Sequence, residues 1–344
     1  MGFRLPHRAL LPQAPGGRKL KIRILQKIES MKVLVTGGTG YIGSHTVVEL
    51  QEAGYEVVIA DNLVNSEREV VGAIASITGK EPVFEETDLS DPGQTEDLFN
   101  RHHGIAAVVH FAALKAVGDS VKRPLEYYRN NIFSLINLLG SMKAHGCRHM
   151  VFSSSCTVYG QPDVLPVKES TPRKQAESPY GNTKKIAEDI LSDEVAANGL
   201  HCIALRYFNP IGAHPSSLIG ELPLGVPDNL VPYITQTAIG KREKLQVFGN
   251  DYNTSDGTPI RDYIHVVDLA GAHVVALSRM LNGKQKQPWE VFNLGTGNGF
   301  TVLEVIRSFE KISGLKLNFV FSGRRAGDIE KVWADTEYAN AELG

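Results

Sequence analysis

The chain has 344 residues, 42% of them hydrophobic, and a formal net charge of −2, enough to bury a large core in one large or two medium domains. Charge so near balance excludes a nucleic-acid footprint spread over the body of the protein, and no apolar run approaches membrane-spanning length. The three cysteines, Cys147, Cys156 and Cys202, are odd in number and lack C-x-x-C spacing, so they indicate neither a disulfide framework nor a zinc site; a reducing, cytoplasmic setting fits them best.

Residues 1–30 differ from the rest. Arg4, Arg8, Arg18, Lys19, Lys21, Arg23 and Lys27 stand there against the single acid Glu29. The composition is only partly that of an organelle-targeting presequence, since Ser30 is the only serine and no apolar stretch follows the charges. A dispensable, disordered upstream extension is therefore the expectation, with a transit peptide as the other reading. Met31 stands directly before Lys32, where an ordinary start would fall.

The stretch Val33–Gly43 reads VLVTGGTGYIG. A β-branched apolar run is followed by Gly37, Gly40 and Gly43 at G-x-x-G-x-x-G spacing, and then by a helix-compatible segment from Ser44 onward. The order strand, glycine turn, helix lets the backbone approach a pyrophosphate, with helix amides as donors. A Walker A loop is excluded because Ser44 follows Gly43 where that motif requires lysine. Further strands are predicted at Glu56–Ala60, Val83–Glu86, Ala106–Phe111, His149–Ser153 and His201–Leu205. Helical crossovers are predicted at Thr46–Ala53, Gln94–His102, Asn131–His145 and Pro179–Asn198. Repeated βα units of this kind imply an α/β fold with a doubly wound parallel sheet of the Rossmann type, its ligands lying beyond the carboxyl ends of the strands.

Asp61 ends the second strand about 20 residues past the glycine turn, where an acid hydrogen-bonds the adenosine ribose. It favours NAD over NADP, because a carboxylate repels a 2′-phosphate and the nearest arginine, Arg68, is seven residues away. A solvated strand-end aspartate is the plainer reading. In VFSSSCTVYG (Val151–Gly160) a strand ends in serines at the active edge of the sheet, although such runs more often form turns. In SPYGNTK, Tyr180 and Lys184 are four apart and share a helical face. An adjacent ammonium and an oxidised nicotinamide both favour phenolate, tuning the phenol toward a usable base. Taken singly, Tyr-x-x-x-Lys is common by chance. After Phe208 the prolines Pro210, Pro215, Pro223, Pro227 and Pro232 cluster, marking a smaller, less regular region. Later segments Leu245–Phe248, Val266–Leu281, Val291–Leu294 and Val302–Ile312 suggest a mixed α/β substrate domain. The expected division is thus 31–208 for NAD and 209–344 mainly for substrate, with some elements returning to the main sheet.

The glycine turn, the Tyr-x-x-x-Lys pair and the strand-end serine together resemble the extended short-chain dehydrogenase/reductase superfamily. The longer strings TGGTGYIGSH, DNLVNS, HFAALKAVGDSV, PLEYY, RYFNPIGAHPS, FGNDYNTSDGT and RDYIHVVDLA resemble the UDP-glucose 4-epimerase family over nearly everything from Lys32 to Leu343. That resemblance implies reversible 4-epimerisation of UDP-glucose and UDP-galactose through a 4-keto intermediate. Tyr180 would be the base, Lys184 its charge partner and Ser155 the hydroxyl orienting O4, Ser155 being the third serine of its triplet. It places NAD contacts at Gly37, Gly40, Tyr41, Ile42, Asp61, Asn62, Asn65, Ser66, Asp88, Leu89, Phe111, Ala112, Lys115, Asn130 and Tyr207, beside Gly43 of the turn. It places UDP-sugar contacts at Asn209, Asn229, Arg261, Tyr263, Arg325 and Asp328, with Val332 bordering the hexose 2-position, where a small side chain leaves room for an N-acetyl group. It also implies a homodimer through the Asn131–His145 and Tyr180–Asn198 helices.

Arg261 and Arg325 suit a diphosphate on their own chemistry, since guanidinium forks match phosphate oxygens. No histidine has metal spacing; His265 and Asp268 are expected to satisfy hydrogen bonds at a helix start. Three departures from the family pattern stand out: Ala113 for glycine, Cys156 for alanine, and a chain that stops at Gly344, before the family's final helical stretch. A nucleotide-sugar 4,6-dehydratase is the nearest rival, disfavoured because Cys156 and Thr157 stand where dehydratases carry an Asp-Glu pair. A catalytically silent NAD-binding module is the rival from another class.

Overall fold

The structure, a computed structural model, describes residues 31–344, so the expectations for residues 1–30 lie outside the described residues. From β1 (Lys32–Thr36) the chain runs through α1 (Tyr41–Glu52), β2 (Glu56–Asp61), α2 (Glu69–Thr78), β3 (Val83–Glu86) and α3 (Pro92–Arg101). It continues through β4 (Ile105–His110), α4 (Val117–Lys122), α5 (Pro124–Ala144), β5 (His149–Ser155), α6 (Pro179–Asn198) and β6 (His201–Tyr207). Then come β7 (Asn209–Ile211), α7 (Leu230–Ala238), β8 (Leu245–Phe248), β9 (Ile260–His265), α8 (Val266–Leu281) and β10 (Trp289–Leu294). The chain ends in β11 (Gly299–Thr301), α9 (Val302–Ser313), β12 (Phe319–Ser322), β13 (Lys331–Val332) and α10 (Glu337–Leu343).

Seven strands form a parallel sheet in the order β10-β6-β5-β4-β1-β2-β3. Side chains alternate across each strand, and both faces are dry. Val33, Val35, Val57, Ile59, Val109 and Ile203 point into one cluster, roofed by residues of α1, α2 and α8 such as Val47, Ile74 and Leu277. Leu34, Val58, Val108, Met150 and Ala204 point into the other, with Leu98, Leu138 and Leu191 from α3, α5 and α6. The strand order reverses between β1 and β4, so the helices after them splay apart and leave a crevice at the carboxyl ends. β7, β9, β11 and β13 form a small second sheet, and β8 pairs with β12. Each β10 residue lies 87 positions after its β6 partner in the sequence, yet β10 pairs with β6 along its whole length.

Several boundaries differ from expectation. α1 starts at Tyr41, earlier than Ser44, because Gly43 is already inside the first helical turn, packed on Gly37. α5 starts at Pro124 rather than Asn131; a proline at the first helical position is preset for it and loses no hydrogen bond. α2 and α7 were not anticipated. Both are short, and their helix-forming pattern is diluted by β-branched residues, Val70 and Val71 in the first and Ile234 and Thr235 in the second. Among the described residues no helix is long and apolar enough to cross a membrane.

Candidate active site

A cleft of about 960 Å³ follows the crevice from the glycine turn to the small second sheet. Its first wall is the turn itself. Gly37 has φ +70, and a Cβ there would stand 2.8 Å from the Ala112 nitrogen; one on Gly43 would stand 2.1 Å from the Gly37 oxygen. Only glycine permits this approach, which leaves the α1 N-terminus facing the cleft. Asp61, at the end of β2, gathers the neighbouring loop: Thr39 N donates to Oδ2 at 3.2 Å, while Leu63 N and Ser66 Oγ donate to Oδ1 at 3.0 and 3.1 Å. Tyr41 OH donates to the Gly212 carbonyl at 2.7 Å, tying the turn to the strand exit after β7. Gly40, Ile42, Asn62, Asn65, Asp88, Leu89, Phe111, Ala112, Lys115, Asn130 and Tyr207 also line the cleft.

The floor is built by β5 and the start of α6. Ser155 ends β5 and caps the single 3-10 turn Cys156–Tyr159, accepting from Thr157 N at 3.2 Å. Ser178 caps α6 by accepting from Gly181 N at 3.1 Å, with Pro179 in the first position, so Tyr180 sits in the first turn and rises toward Ser155. One turn on, Lys184 is 5% exposed, and its Nζ donates to the Ser153 carbonyl at 2.6 Å. Burial pushes the Tyr180 phenol well above its ordinary value, nearby Tyr207 adds to the shift, and the Ser155 hydroxyl pulls against it. Burial draws Lys184 down to about 7, and Glu188 opposes the fall. Cys156, although beside Ser155, is pushed up to about 12 by burial and offers no thiolate.

At the far end Arg325 grips Asp328 with two bonds, Nε to Oδ2 at 3.1 Å and Nη2 to Oδ1 at 2.9 Å. Arg261 Nη2 lies 3.8 Å from the same carboxylate and donates to the Ile329 carbonyl at 2.7 Å. Both guanidiniums face the cleft, as do Asn209, Asn229 and Val332. Val332 is 1% exposed; it packs with Cys156, Val158 and Phe208 while closing the cleft floor. Tyr263 is the expected site residue that does not line the cleft. Its strand position is level with Asn209 in the β7–β9 pairing.

Four contributors escaped the sequence reading. Glu221 spans the cleft, meeting Lys115 Nζ at 3.5 Å and accepting from Asn229. Phe248 forms part of the lining, with the Arg325 guanidinium 5.8 Å from its ring centroid. Asn131 is buried between α5, the segment after β4 and α6, exchanging hydrogen bonds with Leu114 and donating to Thr183. Asp262, fully buried, takes Thr296 N and Oγ1, Gly297 N and Ala334 N, and so fixes the strand that carries Arg261. Asn131 and Asp262 stand beside predicted residues, but only the fold reveals what they bridge.

The site fits a dinucleotide: a cradle that any Cβ would fill, an acid beyond it, and one continuous cleft from both to Tyr180. His265, expected at a helix start, caps α8 by accepting from Val267 N. Among the described residues no cluster of histidine, cysteine or carboxylate could hold a metal ion.

The profile of the NAD dependent epimerase/dehydratase family matches residues 33–295. The chain is 51% identical over 315 residues to the UDP-glucose 4-epimerase of Bacillus subtilis, covering 91% of each chain. It is 49% identical over 320 residues to that of Homo sapiens, again covering 91% of each. A crystal structure of the Bifidobacterium longum UDP-glucose 4-epimerase in complex with NAD+ and UDP superposes with a TM-score of 0.88 at 46% identity, covering 91% of this chain and 92% of that one.

Proposed function

The chain belongs to the NAD dependent epimerase/dehydratase family, and from that membership we propose that it interconverts UDP-glucose and UDP-galactose by 4-epimerisation with bound NAD. The observation that carries this reading is the meeting of Tyr180, Lys184 and Ser155 on the floor of a cleft whose one end is a dinucleotide cradle and whose other end offers two guanidiniums. NAD, when bound, accepts the hydride of sugar C4 and gives it back. Tyr180 removes the proton of the 4-hydroxyl and returns it, while Ser155 hydrogen-bonds the same oxygen. A buried phenol resists ionisation, so the work of Lys184 is to bring positive charge close enough to favour the phenolate.

Epimerisation requires the 4-ketose to present its other face. Arg261, Arg325, Asn209 and Asn229 therefore hold the UDP end, and the hexose turns above the floor. The half-chains 31–208 and 209–344 divide these tasks, cofactor to the first and mainly UDP-sugar to the second, with β10 of the second in the main sheet. The small side chain of Val332 supports acceptance of UDP-GlcNAc and UDP-GalNAc as well. A homodimer is part of the same reading: α5 leaves Phe133 and Ile136 half exposed and Leu125 largely exposed on the outside of the molecule, next to α6. No Asp-Glu pair follows Ser155, which speaks against a 4,6-dehydratase.

The test is incubation of the purified protein with UDP-galactose without added NAD, followed by separation of the products. UDP-glucose should accumulate to an equilibrium mixture with no net reduction of cofactor. A dehydrated 4-keto-6-deoxy product, or no turnover even with NAD supplied, would overturn the reading.

A further inference from the structure

Behind Lys184, on the side of β5 away from the cleft, a carboxylate sits in one of the most enclosed places in the molecule. Glu188 is 1% exposed and lies one turn beyond Lys184 on α6. Arg206 of β6 grips it in parallel, Nε to Oε1 at 2.8 Å and Nη2 to Oε2 at 2.6 Å. Ser154 Oγ of β5 donates to Oε1 at 2.6 Å, and Arg173 Nη1 reaches Oε2 at 3.3 Å. Arg206 Nη1 donates to the Tyr159 hydroxyl at 2.9 Å and the Glu169 carbonyl at 3.2 Å. The assembly joins α6, β5, β6 and the segment between β5 and α6. Ser154 lies between Ser153, whose carbonyl receives Lys184, and Ser155, whose hydroxyl faces Tyr180.

We propose that Glu188 is a positioning residue for the reaction: clamped by Arg206, it fixes the Ser153–Ser155 strand end against α6 through Ser154 and places a negative charge one helical turn behind Lys184. This rests on the assignment of Tyr180 and Lys184 made above. Buried ion pairs seldom add net stability over an apolar replacement, so a pair this completely enclosed needs another reason to be there. The reason lies in the surroundings of Lys184. Burial lowers it, and Glu188 is the group that raises it. From β4 it faces His110, which burial and Lys184 itself hold near 3 and therefore neutral. From β6, Cys202 lies against Glu188 and Tyr207 against Tyr180, both pushed upward by burial and neutral. Tyr127 of α5 and Tyr159 of the 3-10 turn are likewise neutral phenols. Arg173 and Arg206 are cations, paired to Glu188 and, for Arg173, to Asp189; Glu169 is held above its ordinary value by burial.

The sign of the effect follows. Without the Glu188 charge, Lys184 loses its proton more readily; a neutral lysine no longer favours phenolate, and Tyr180 then needs a higher pH to act as base. In Glu188→Gln the acid limb of the pH–kcat profile should move to alkali by about one unit, with about tenfold lower kcat at neutral pH and little change in KM. Glu188→Asp keeps the charge and should leave the limb in place. Glu188→Gln alone strands Arg206, so the test is repeated in Glu188→Gln/Arg206→Met, which buries no unpaired charge and should fold. A folded Glu188→Gln single variant with the wild-type pH profile would overturn the inference; the double variant, which removes one anion and one cation together, reads the strand-end anchor alone and should show a lower kcat with the limb little moved, and a wild-type kcat in it would overturn the anchoring. Tyr180→Phe, assayed alongside, separates the two levels of argument. If that variant keeps its activity, the base assignment has failed whatever Glu188 does; if it is inactive and the Glu188→Gln limb does not move, only the present inference has failed.

Discussion

Single atoms decide the chemistry of this cleft. The proposed function gives Asp61 the adenosine ribose to hold, and its carboxylate is already fixed in place by Thr39, Leu63 and Ser66. Asp61→Ala should weaken NAD binding and reduce discrimination against NADP, because the same group bonds the diol and repels a 2′-phosphate; a cofactor-affinity titration in both forms checks this, and an unchanged preference would place the role elsewhere. Val332 is a sharper case, since it is at once a member of a buried apolar cluster and part of the cleft floor. Overfilling a packed position costs about 1–3 kcal/mol, so Val332→Tyr should suppress turnover of UDP-GlcNAc by ten- to hundredfold, on the order set by that cost, and spare UDP-galactose. Equal loss on both substrates would mean that the tyrosine disrupts the cluster and not the sugar pocket. Steady-state assays of the two pairs on wild type and variant distinguish these outcomes.

Elements are held in register by a few buried polar ties, and β10 shows how far apart in sequence these reach. Arg279 of α8 is bidentate to Glu290 of β10, Nε to Oε2 at 2.8 Å and Nη2 to Oε1 at 2.9 Å, and also meets Glu342 of α10 at 2.8 Å. The arginine and Glu290 are both buried. Arg279→Met would leave Glu290 enclosed without an opposing charge, only Lys286 N still donating to its Oε1, at a cost of about 3–5 kcal/mol. Urea denaturation should show that loss as a lower midpoint at unchanged slope, and Arg279→Met combined with Glu290→Gln should recover most of it. A negligible change in the single variant would show the tie to be dispensable.

Two properties belong to the molecule as a whole. His45, His110 and His273 are buried and held near 4, 3 and 4, chiefly by burial. Unfolded histidines titrate near 6.5, so these groups add stability that is complete above that pH and is lost as pH falls toward the folded values. Each one removes about 1.4 kcal/mol per pH unit in that window. Denaturation at pH 7 and pH 5 should therefore show a steep drop, and a flat profile would contradict the burial. The exposed apolar residues of α5 give the second property. Sedimentation should report a dimer in the wild type, and Phe133→Glu should shift it toward monomer, since a charge there would be buried without a partner; a wild-type monomer would remove the proposed dimer.

The sequence alone determined most of the parallel sheet, the glycine turn and the grouping of Ser155, Tyr180 and Lys184, because each is written in adjacent residues. Unbroken apolar runs mark strands buried on both faces, Gly37 and Gly43 mark a backbone approach no other residue permits, and Tyr180 and Lys184 share a face at one helical turn. Tertiary structure alone decided the rest. Nothing in the spacing of Glu188 and Arg206, of Glu221 and Lys115, or of Asp262 and Ala334 foretells that they touch. It also decided which of the expected returning elements, β10, completes the main sheet beside β6, and that Tyr263 does not line the cleft. Local pattern fixes periodicity and backbone conformation, which act over a few residues. Partners far apart in the chain are chosen by burial, which leaves an enclosed charge one acceptable neighbour and reveals it only when the chain has closed around it.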